Sequence, residues 1–173
     1  KPSSAASDVY KRQKLIIIRG NSGSGKTTIA QKLQHTLGTG VMLVGQDDIR
    51  RNMLNVLDQP NNLAIQLIED IVNYGIAHCD YVILEGILNS AKYGSMIERL
   101  MNQINVDAYA YYFKLPFHET VRRHHLKDET DFGEEAMMRW FVENDILKVN
   151  QETYLYQEMS ENEIIRKILE DII

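Results

Sequence analysis

Short apolar runs alternate with amphipathic segments along most of the chain. Residues 15–18 form a continuous apolar run, as expected for a strand buried on both faces. A glycine-rich segment follows, and apolar residues at helical spacing then continue until Gly38 and Gly40, which end a helix. The pattern predicts a first strand at 14–19 and a first helix at 26–37.

The same alternation predicts the remaining elements. Further strands are predicted at 41–44, 81–84, 108–114 and 153–156, and further helices at 46–54, 60–79, 91–103 and 160–173. A charge-rich segment at 116–141 contains two short helices, and we expect residues 117–141 to form a mobile helical lid. Short connections between alternating strands and helices imply an α/β fold with a five-stranded, mainly parallel sheet and helices on both faces. Ligands bind such sheets at the carboxyl ends of the strands.

The glycine-rich segment after the first strand has the GxxxxGKT spacing of a phosphate-binding loop. Glycines allow the tight turns that aim several backbone N–H groups at phosphate oxygens near a helix N-terminus. We expect ATP to contact Gly20, Asn21, Ser22, Gly23, Ser24, Gly25, Lys26, Thr27 and Thr28. Lys26 would reach the β- and γ-phosphates, and the Thr27 hydroxyl would bind Mg²⁺. The motif predicts a P-loop NTPase fold.

The composition of the chain indicates which ligands and which cellular compartment to expect. The chain has 173 residues and a formal net charge of −5, which makes long nucleic acid an improbable ligand. The single cysteine, Cys79, and the lack of a long apolar segment favour a protein of the reducing cytoplasm. Residues 1–13 are polar and aperiodic, and we expect them to be a non-native or disordered leader to a single domain at 14–173.

Acidic and basic residues follow the second predicted strand. Asp47 lies one helical turn from Arg50 and Arg51. Phosphoryl transfer to a hydroxyl needs a base that orients the acceptor and cations that hold the substrate. We expect Asp47 and Arg50 to supply these, and we expect Asp48 to cap the helix.

Glu85 ends the third predicted strand. Its carboxylate could bind Mg²⁺ directly or through water, or it could anchor the phosphate-binding loop by accepting hydrogen bonds; the sequence leaves both open. Asn89, four residues later, is a candidate substrate contact.

The lid carries a basic cluster at 122–127. Cations that close over a nucleotide can neutralise developing charge. Arg123 and Lys127 are four residues apart and are expected to share a helix face, with Arg122 pointing elsewhere. The alternative is an ordinary solvated basic face. Trp140 is interpreted as a packing anchor.

The phosphate-binding loop, the segment Gln46–Arg50 and the basic lid together resemble the small AAA-type P-loop kinases grouped with adenylate, shikimate and gluconate kinases. The motifs are most similar to those of bacteriophage polynucleotide kinase, zeta-toxin-like kinases and chloramphenicol phosphotransferase-like kinases, and the whole chain resembles bacterial proteins loosely labelled uridine kinase. The resemblance implies that Asp47 is a general base, that Arg50 contacts a substrate phosphate and that Arg123 is the lid arginine.

These patterns predict a cytoplasmic kinase that uses ATP and Mg²⁺ to phosphorylate a hydroxyl of a small molecule such as a nucleoside, sugar or antibiotic. The predicted catalytic residues are Lys26, Asp47 and Arg123; the predicted substrate contacts are Asp47, Arg50, Glu85 and Asn89; the predicted metal ligands are Thr27 and Glu85. The alternatives are a kinase of 5′-hydroxyl nucleic-acid ends, a toxin-like kinase acting on a nucleotide sugar, and a nucleotide-binding switch without an acceptor.

Overall fold

A computed structural model describes residues 11–128, 130–148 and 152–173. The strands are β1 (Gln13–Gly20), β2 (Met42–Gly45), β3 (Tyr81–Gly86), β4 (Val106–Phe113) and β5 (Glu152–Leu155). The helices are α1 (Lys26–Leu37), α2 (Asp48–Met53), α3 (Leu63–His78), α4 (Ser90–Met101), α5 (Phe117–His125), α6 (Glu134–Trp140) and α7 (Glu161–Ile172), of which α2 is a single π-helical segment.

The five strands form one sheet in the order β2-β3-β1-β4-β5, and every pairing is parallel. β1 occupies the centre because its apolar run can be buried on both sides. The sheet is therefore wholly rather than mainly parallel, and the predicted α/β architecture is confirmed.

The alternation of side chains along β1 divides the core into two layers. Leu15 and Ile17 pack with α3 and α4 on one face. Ile16 and Ile18 pack with α1 and α7 on the other. All four side chains are fully buried, so the central strand carries both hydrophobic layers that hold the loop after it in place.

The predicted leader overlaps the start of the fold. Residues 1–10 lie outside the described residues, so that part of the prediction stays untested. Gln13 is already the first residue of β1, and Lys11 and Arg12 form ion pairs with Asp80 and Asp107 at 3.1 and 2.9 Å. In the described part of the chain, we find no helix of sufficient length and hydrophobicity to span a membrane.

Arg19, near the end of β1, is a fully buried cation directly after the apolar run 15–18. Its guanidinium donates to the carboxylates of Asp145 at 2.8 Å and Glu152 at 2.7 Å. It also donates to the carbonyl oxygens of Leu88 and Asp145, and it lies over the ring of Tyr112 at 5.4 Å. This network ties β1 to the β3–α4 connection, to the segment after α6 and to β5.

Replacing Arg19 by methionine should destabilise the protein by about 3–5 kcal/mol, because two carboxylates would remain buried without their cation. The matched control is Lys32→Met, which breaks the exposed pair between Lys32 and Glu161 and should cost about 1 kcal/mol or less. Urea unfolding of both variants measures the difference. Equal losses of stability would contradict the role given to Arg19.

Candidate active site

The loop between β1 and α1 is pressed against the first lid helix. Gly23 has a φ of +82°, and a Cβ at this position would lie 2.5 Å from the carbonyl oxygen of Thr120 in α5. Only glycine fits this approach. α1 starts after Gly25, and no side chain caps its first N–H groups. The loop thus has the geometry of an anion site at a helix N-terminus.

Lys26 lies buried within the loop that it follows. Its Nζ donates to the carbonyl oxygen of Asn21 at 2.9 Å. Burial lowers the pKa of Lys26 to about 8, against the opposing effect of the Glu85 and Asp47 carboxylates. A cation kept out of water in this way interacts strongly with any anion placed in the loop.

Thr27 and Glu85 bring a hydroxyl and a carboxylate together beside the loop. The Thr27 Oγ1 donates to Glu85 Oε1 at 3.1 Å. Burial raises the pKa of Glu85; Lys26 and Thr27 oppose the shift, and the charges of Asp47 and Asp48 add to it. In the described residues there is no group of three or more His, Cys, Asp or Glu side chains that could enclose a metal ion. The Thr27–Glu85 pair fits Mg²⁺, which commonly takes one or two protein ligands and completes its shell with phosphate and water.

Asp47 and its neighbours surround the start of α2. The Asp47 carboxylate lies 3.5 Å from Arg50 Nη2 and 3.8 Å from Arg51 Nε, so the predicted acid–base cluster is assembled. The prediction that Asp48 caps the helix is wrong. Asp48 is the first residue of α2, and its carboxylate accepts a hydrogen bond from Asn52 at 3.1 Å. A Cβ on Gly45 would lie close to the carboxylates of both Asp48 and Glu85.

Arg123 reaches from the lid to the phosphate-binding loop. Its Nη1 donates to the carbonyl oxygen of Ser24 at 2.8 Å, and its Nε donates to Glu119 at 2.9 Å. Arg122 makes two further bonds to Glu119, and these two arginines hold the pKa of Glu119 at about 2. The expectation that Arg122 points elsewhere is therefore wrong, since both arginines converge on one carboxylate. Lys127 follows the end of α5.

Asn21 links the loop to the end of the lid by two reciprocal bonds. Its Nδ2 donates to the Val142 carbonyl oxygen at 2.9 Å, and its Oδ1 accepts from the Val142 N–H at 3.0 Å. The backbone oxygen of the same residue also accepts from Lys26 and from Ser24. Asn21 therefore joins the phosphate-binding loop and the segment after α6 through a single buried side chain.

Two cavities flank the loop. The cavity on the α7 side has a volume of about 550 Å³ and includes Gly23, Gly25, Thr28, Arg123 and Lys127. We call it the lid-side cavity. The cavity on the α2 side has a volume of about 530 Å³. We call it the α2-side cavity, and its residues are Ser22, Gln46, Asp47, Arg50, Arg51, Leu57, Asp58, Ile87, Asn89, Lys92, Phe132, Arg139, Trp140 and Val142. The loop contributes to both, with Ser22 in the α2-side cavity and Gly23, Ser24 and Gly25 in the lid-side cavity, so the two cavities lie on either side of it.

Aromatic packing places the second lid helix against the α2-side cavity. The rings of Phe132 and Trp140 pack edge to face with centroids 5.0 Å apart. Phe132 also stacks on the buried His124 of α5, with ring centroids 4.8 Å apart. Trp140 is nevertheless 40% exposed. It packs as expected and also lines the cavity, which a purely internal anchor would not do.

Several residues of the site escaped the sequence analysis. Gln46 is buried, and its Oε1 accepts from the Leu88 N–H at 2.8 Å; a Cβ on Gly86 would collide with it at 2.4 Å. Lys92 and Arg139 line the α2-side cavity from α4 and α6. The sequence gives no sign of these contacts, because these residues stand at no fixed spacing from the phosphate-binding loop. Asn89 does reach the cavity, although its Oδ1 caps α4 by accepting from the Ala91 N–H.

Solved structures with the same fold include several kinases. An APS kinase from Mycobacterium tuberculosis in complex with AMPPNP and APS aligns with 93% of this chain and 98% of its own, at 16% identity and a TM-score of 0.67. A gluconokinase from Sinorhizobium meliloti aligns with 93% and 91%, at 13% identity and a TM-score of 0.64. The tunicamycin resistance protein of Deinococcus radiodurans aligns with 93% and 96%, at 14% identity and a TM-score of 0.61. No curated protein sequence matches this chain.

The chain has the fold of these kinases, and the loop after β1 has the spacing of a phosphate-binding loop. The model of the AAA domain family AAA_33 matches residues 15–141, and the chain belongs to that family. The match runs from the first residues of β1 to the end of the lid.

Removing the Asn21 side chain should loosen the segment after α6. Asn21→Ala leaves the N–H and carbonyl of Val142 without these partners, which should cost about 1–3 kcal/mol, and the Val142 amide should exchange with solvent faster. Hydrogen exchange followed by NMR measures this, with Asn52→Ala as the control because Asn52 makes one exposed bond to Asp48. Unchanged exchange at Val142 would contradict the link.

Proposed function

We propose that this protein is a kinase that transfers the γ-phosphoryl group of ATP to a hydroxyl of a small molecule, with Mg²⁺ as cofactor. The observation that carries the proposal is the pair of cavities on either side of one phosphate-binding loop. A nucleotide switch needs a single site for its nucleotide, whereas a kinase must hold two substrates with their reacting atoms adjacent. The α2-side cavity, which includes Asp47, is the second site.

The lid-side cavity suits the nucleotide. It includes Gly23, Ser24, Gly25 and Thr28 together with Arg123, whose guanidinium already contacts the loop backbone. Lys26 and the uncapped N–H groups of α1 would hold the phosphates. Thr27 and Glu85 would hold Mg²⁺, with Glu85 acting directly or through water. The ion would neutralise charge on the β- and γ-phosphates.

Asp47 would act on the acceptor. Its carboxylate would accept the proton of the acceptor hydroxyl as the new oxygen–phosphorus bond forms and the bond to the leaving ADP oxygen breaks. Arg50 is suited to hold the acceptor, because its Nη1 bond to Val56 and its contact with Asp47 fix the guanidinium beside the cavity. Arg123 would spread the charge that develops on the transferred group.

The Asp47→Asn variant tests the acceptor role. A general base contributes roughly 10²–10⁴ in rate, so phosphoryl transfer should fall by at least about 10²-fold. ATP binding should stay nearly unchanged. Asp48→Asn is the matched control, because Asp48 is the adjacent carboxylate at the start of α2 and is not among the cavity residues; the rate of this variant should fall less than about tenfold. Acceptor-stimulated ADP release measures both, and the reverse ranking would remove Asp47 from the mechanism.

The protein should take up protons when it binds ATP at a pH above 8. The pKa of Lys26 is about 8 in the protein alone, and phosphate oxygens beside it would raise that pKa again. At pH 8.5 roughly three-quarters of a proton should therefore be taken up per ATP bound, and close to none by this group at pH 6.5. Calorimetry in buffers of different ionisation enthalpy measures the uptake. Lys26→Arg should abolish it, since arginine stays charged; persistent uptake in that variant would assign the proton to another group.

A further inference from the structure

The residues that line the α2-side cavity have a net positive charge, although the chain as a whole is acidic. Its charged residues are Arg50, Arg51, Lys92 and Arg139 against Asp47 and Asp58. Four cations and two carboxylates leave an excess of two positive charges, in a chain whose formal net charge is −5. A cavity with this local excess attracts an anion.

The ion pairs among the lining residues show which cationic side chain is available to a ligand. Arg50 and Arg51 both approach Asp47, and Lys92 lies 3.3 Å from Asp58 while donating to its carbonyl oxygen at 2.7 Å. Arg139, on the last turn of α6, is exposed and forms no ion pair with any described residue. Its guanidinium is therefore available to an oxyanion, which it can bind through two parallel hydrogen bonds.

The residue after Arg139 supplies an apolar wall beside it. Trp140 packs edge-on against Phe132, and both line the cavity together with Leu57 and Ile87. The Asn21–Val142 bonds hold the chain two residues beyond Trp140 against the phosphate-binding loop. A guanidinium and an aromatic side chain from successive residues thus line the same cavity, in a segment held against the loop.

Building on the proposed function, we propose that the phosphoryl acceptor is an organic anion: a hydroxyl compound that bears a phosphate, sulfate or carboxylate group, with Arg139 holding the anion and Trp140 packing against the body of the molecule. Arg139 is then a specificity-determining residue. This arrangement discriminates against neutral sugars, nucleosides and antibiotics, because these would cover Arg139 without supplying an anionic partner for its guanidinium.

The experiment compares acceptors that differ by one anionic group. Acceptor-stimulated ADP release is measured with ribose and ribose 5-phosphate, glucose and gluconate, and thymidine and thymidine 3′-monophosphate. Binding of the same compounds is followed through the fluorescence of Trp140, the only tryptophan of the chain, with the nucleotide site saturated by Mg²⁺ and AMPPNP. Each measurement is repeated with Arg139→Gln and with the control Arg166→Gln, which removes an exposed arginine of α7 outside both cavities.

The expected result is a preference for at least one anionic member over its neutral partner, in turnover and in Trp140 fluorescence. Loss of one charge-assisted contact should cut kcat/KM for that anion roughly tenfold or more in Arg139→Gln, while KM for ATP and the behaviour of Arg166→Gln stay unchanged. Neutral partners used equally well would overturn the inference and leave the kinase proposal standing. A higher KM for ATP in Arg139→Gln, whatever the acceptor, would assign Arg139 to the nucleotide and would also overturn it.

Absence of both turnover and Arg139-dependent fluorescence change with every compound would overturn the inference as well. The Asp47→Asn comparison then separates the two proposals. A kinase without an anionic acceptor still shows ADP release from some neutral acceptor that depends on Asp47, whereas a failed kinase proposal shows no acceptor-stimulated release at all.

Discussion

The buried guanidinium of Arg19 is the interaction on which the arrangement of the site depends. It lies at the end of the central strand, directly before the phosphate-binding loop, and it binds two carboxylates from distant parts of the chain, Asp145 and Glu152. Through the Leu88 carbonyl oxygen it also holds the connection that carries Asn89. One desolvated cation therefore positions three parts of the chain relative to one another: the loop, the β3–α4 connection that lines the α2-side cavity, and the segment after the lid. Breaking such a network is costly because the remaining charges stay buried.

A second connection acts at the other end of the same segment. Asn21 binds both backbone polar groups of Val142, three residues before Asp145. The two contacts fix the short stretch between them against the loop, and α6 with Arg139 and Trp140 ends just ahead of it. The α2-side cavity includes Ser22 of the phosphate-binding loop and Val142, which Asn21 of the same loop holds in place. An acceptor in this cavity would therefore lie beside the loop that is proposed to hold the phosphates.

Most of the fold could be predicted from the sequence because its signals are local. Apolar runs such as 15–18, the glycines after α1 and the Ser160–Glu163 capping box each specify an element within a few residues, and the capping box is present with both of its hydrogen bonds. The phosphate-binding loop is recognisable for the same reason, since its chemistry requires a fixed spacing. The cluster of Asp47 with Arg50 was visible because a helix turn brings them together.

The rest of the site depends on contacts between residues far apart in the chain. Arg19 directly follows the apolar run 15–18, but its role could not be predicted because its partners lie 126 and 133 residues away. The convergence of Arg122 and Arg123 on Glu119 is local to α5, where the residues are three and four positions apart. The approach of Arg139 to the α2-side cavity, by contrast, depends on how the two lid helices pack. The proposed reaction requires that the α2-side cavity hold a phosphoryl acceptor. The most direct test is a mass-spectrometric screen of nucleosides, sugars, their anionic derivatives, antibiotics and 5′-hydroxyl oligonucleotides incubated with ATP and Mg²⁺. The expected result is a compound that gains one phosphoryl group for each ADP released. ATP binding without any phosphorylated product and without acceptor-stimulated ADP release would contradict the proposed function.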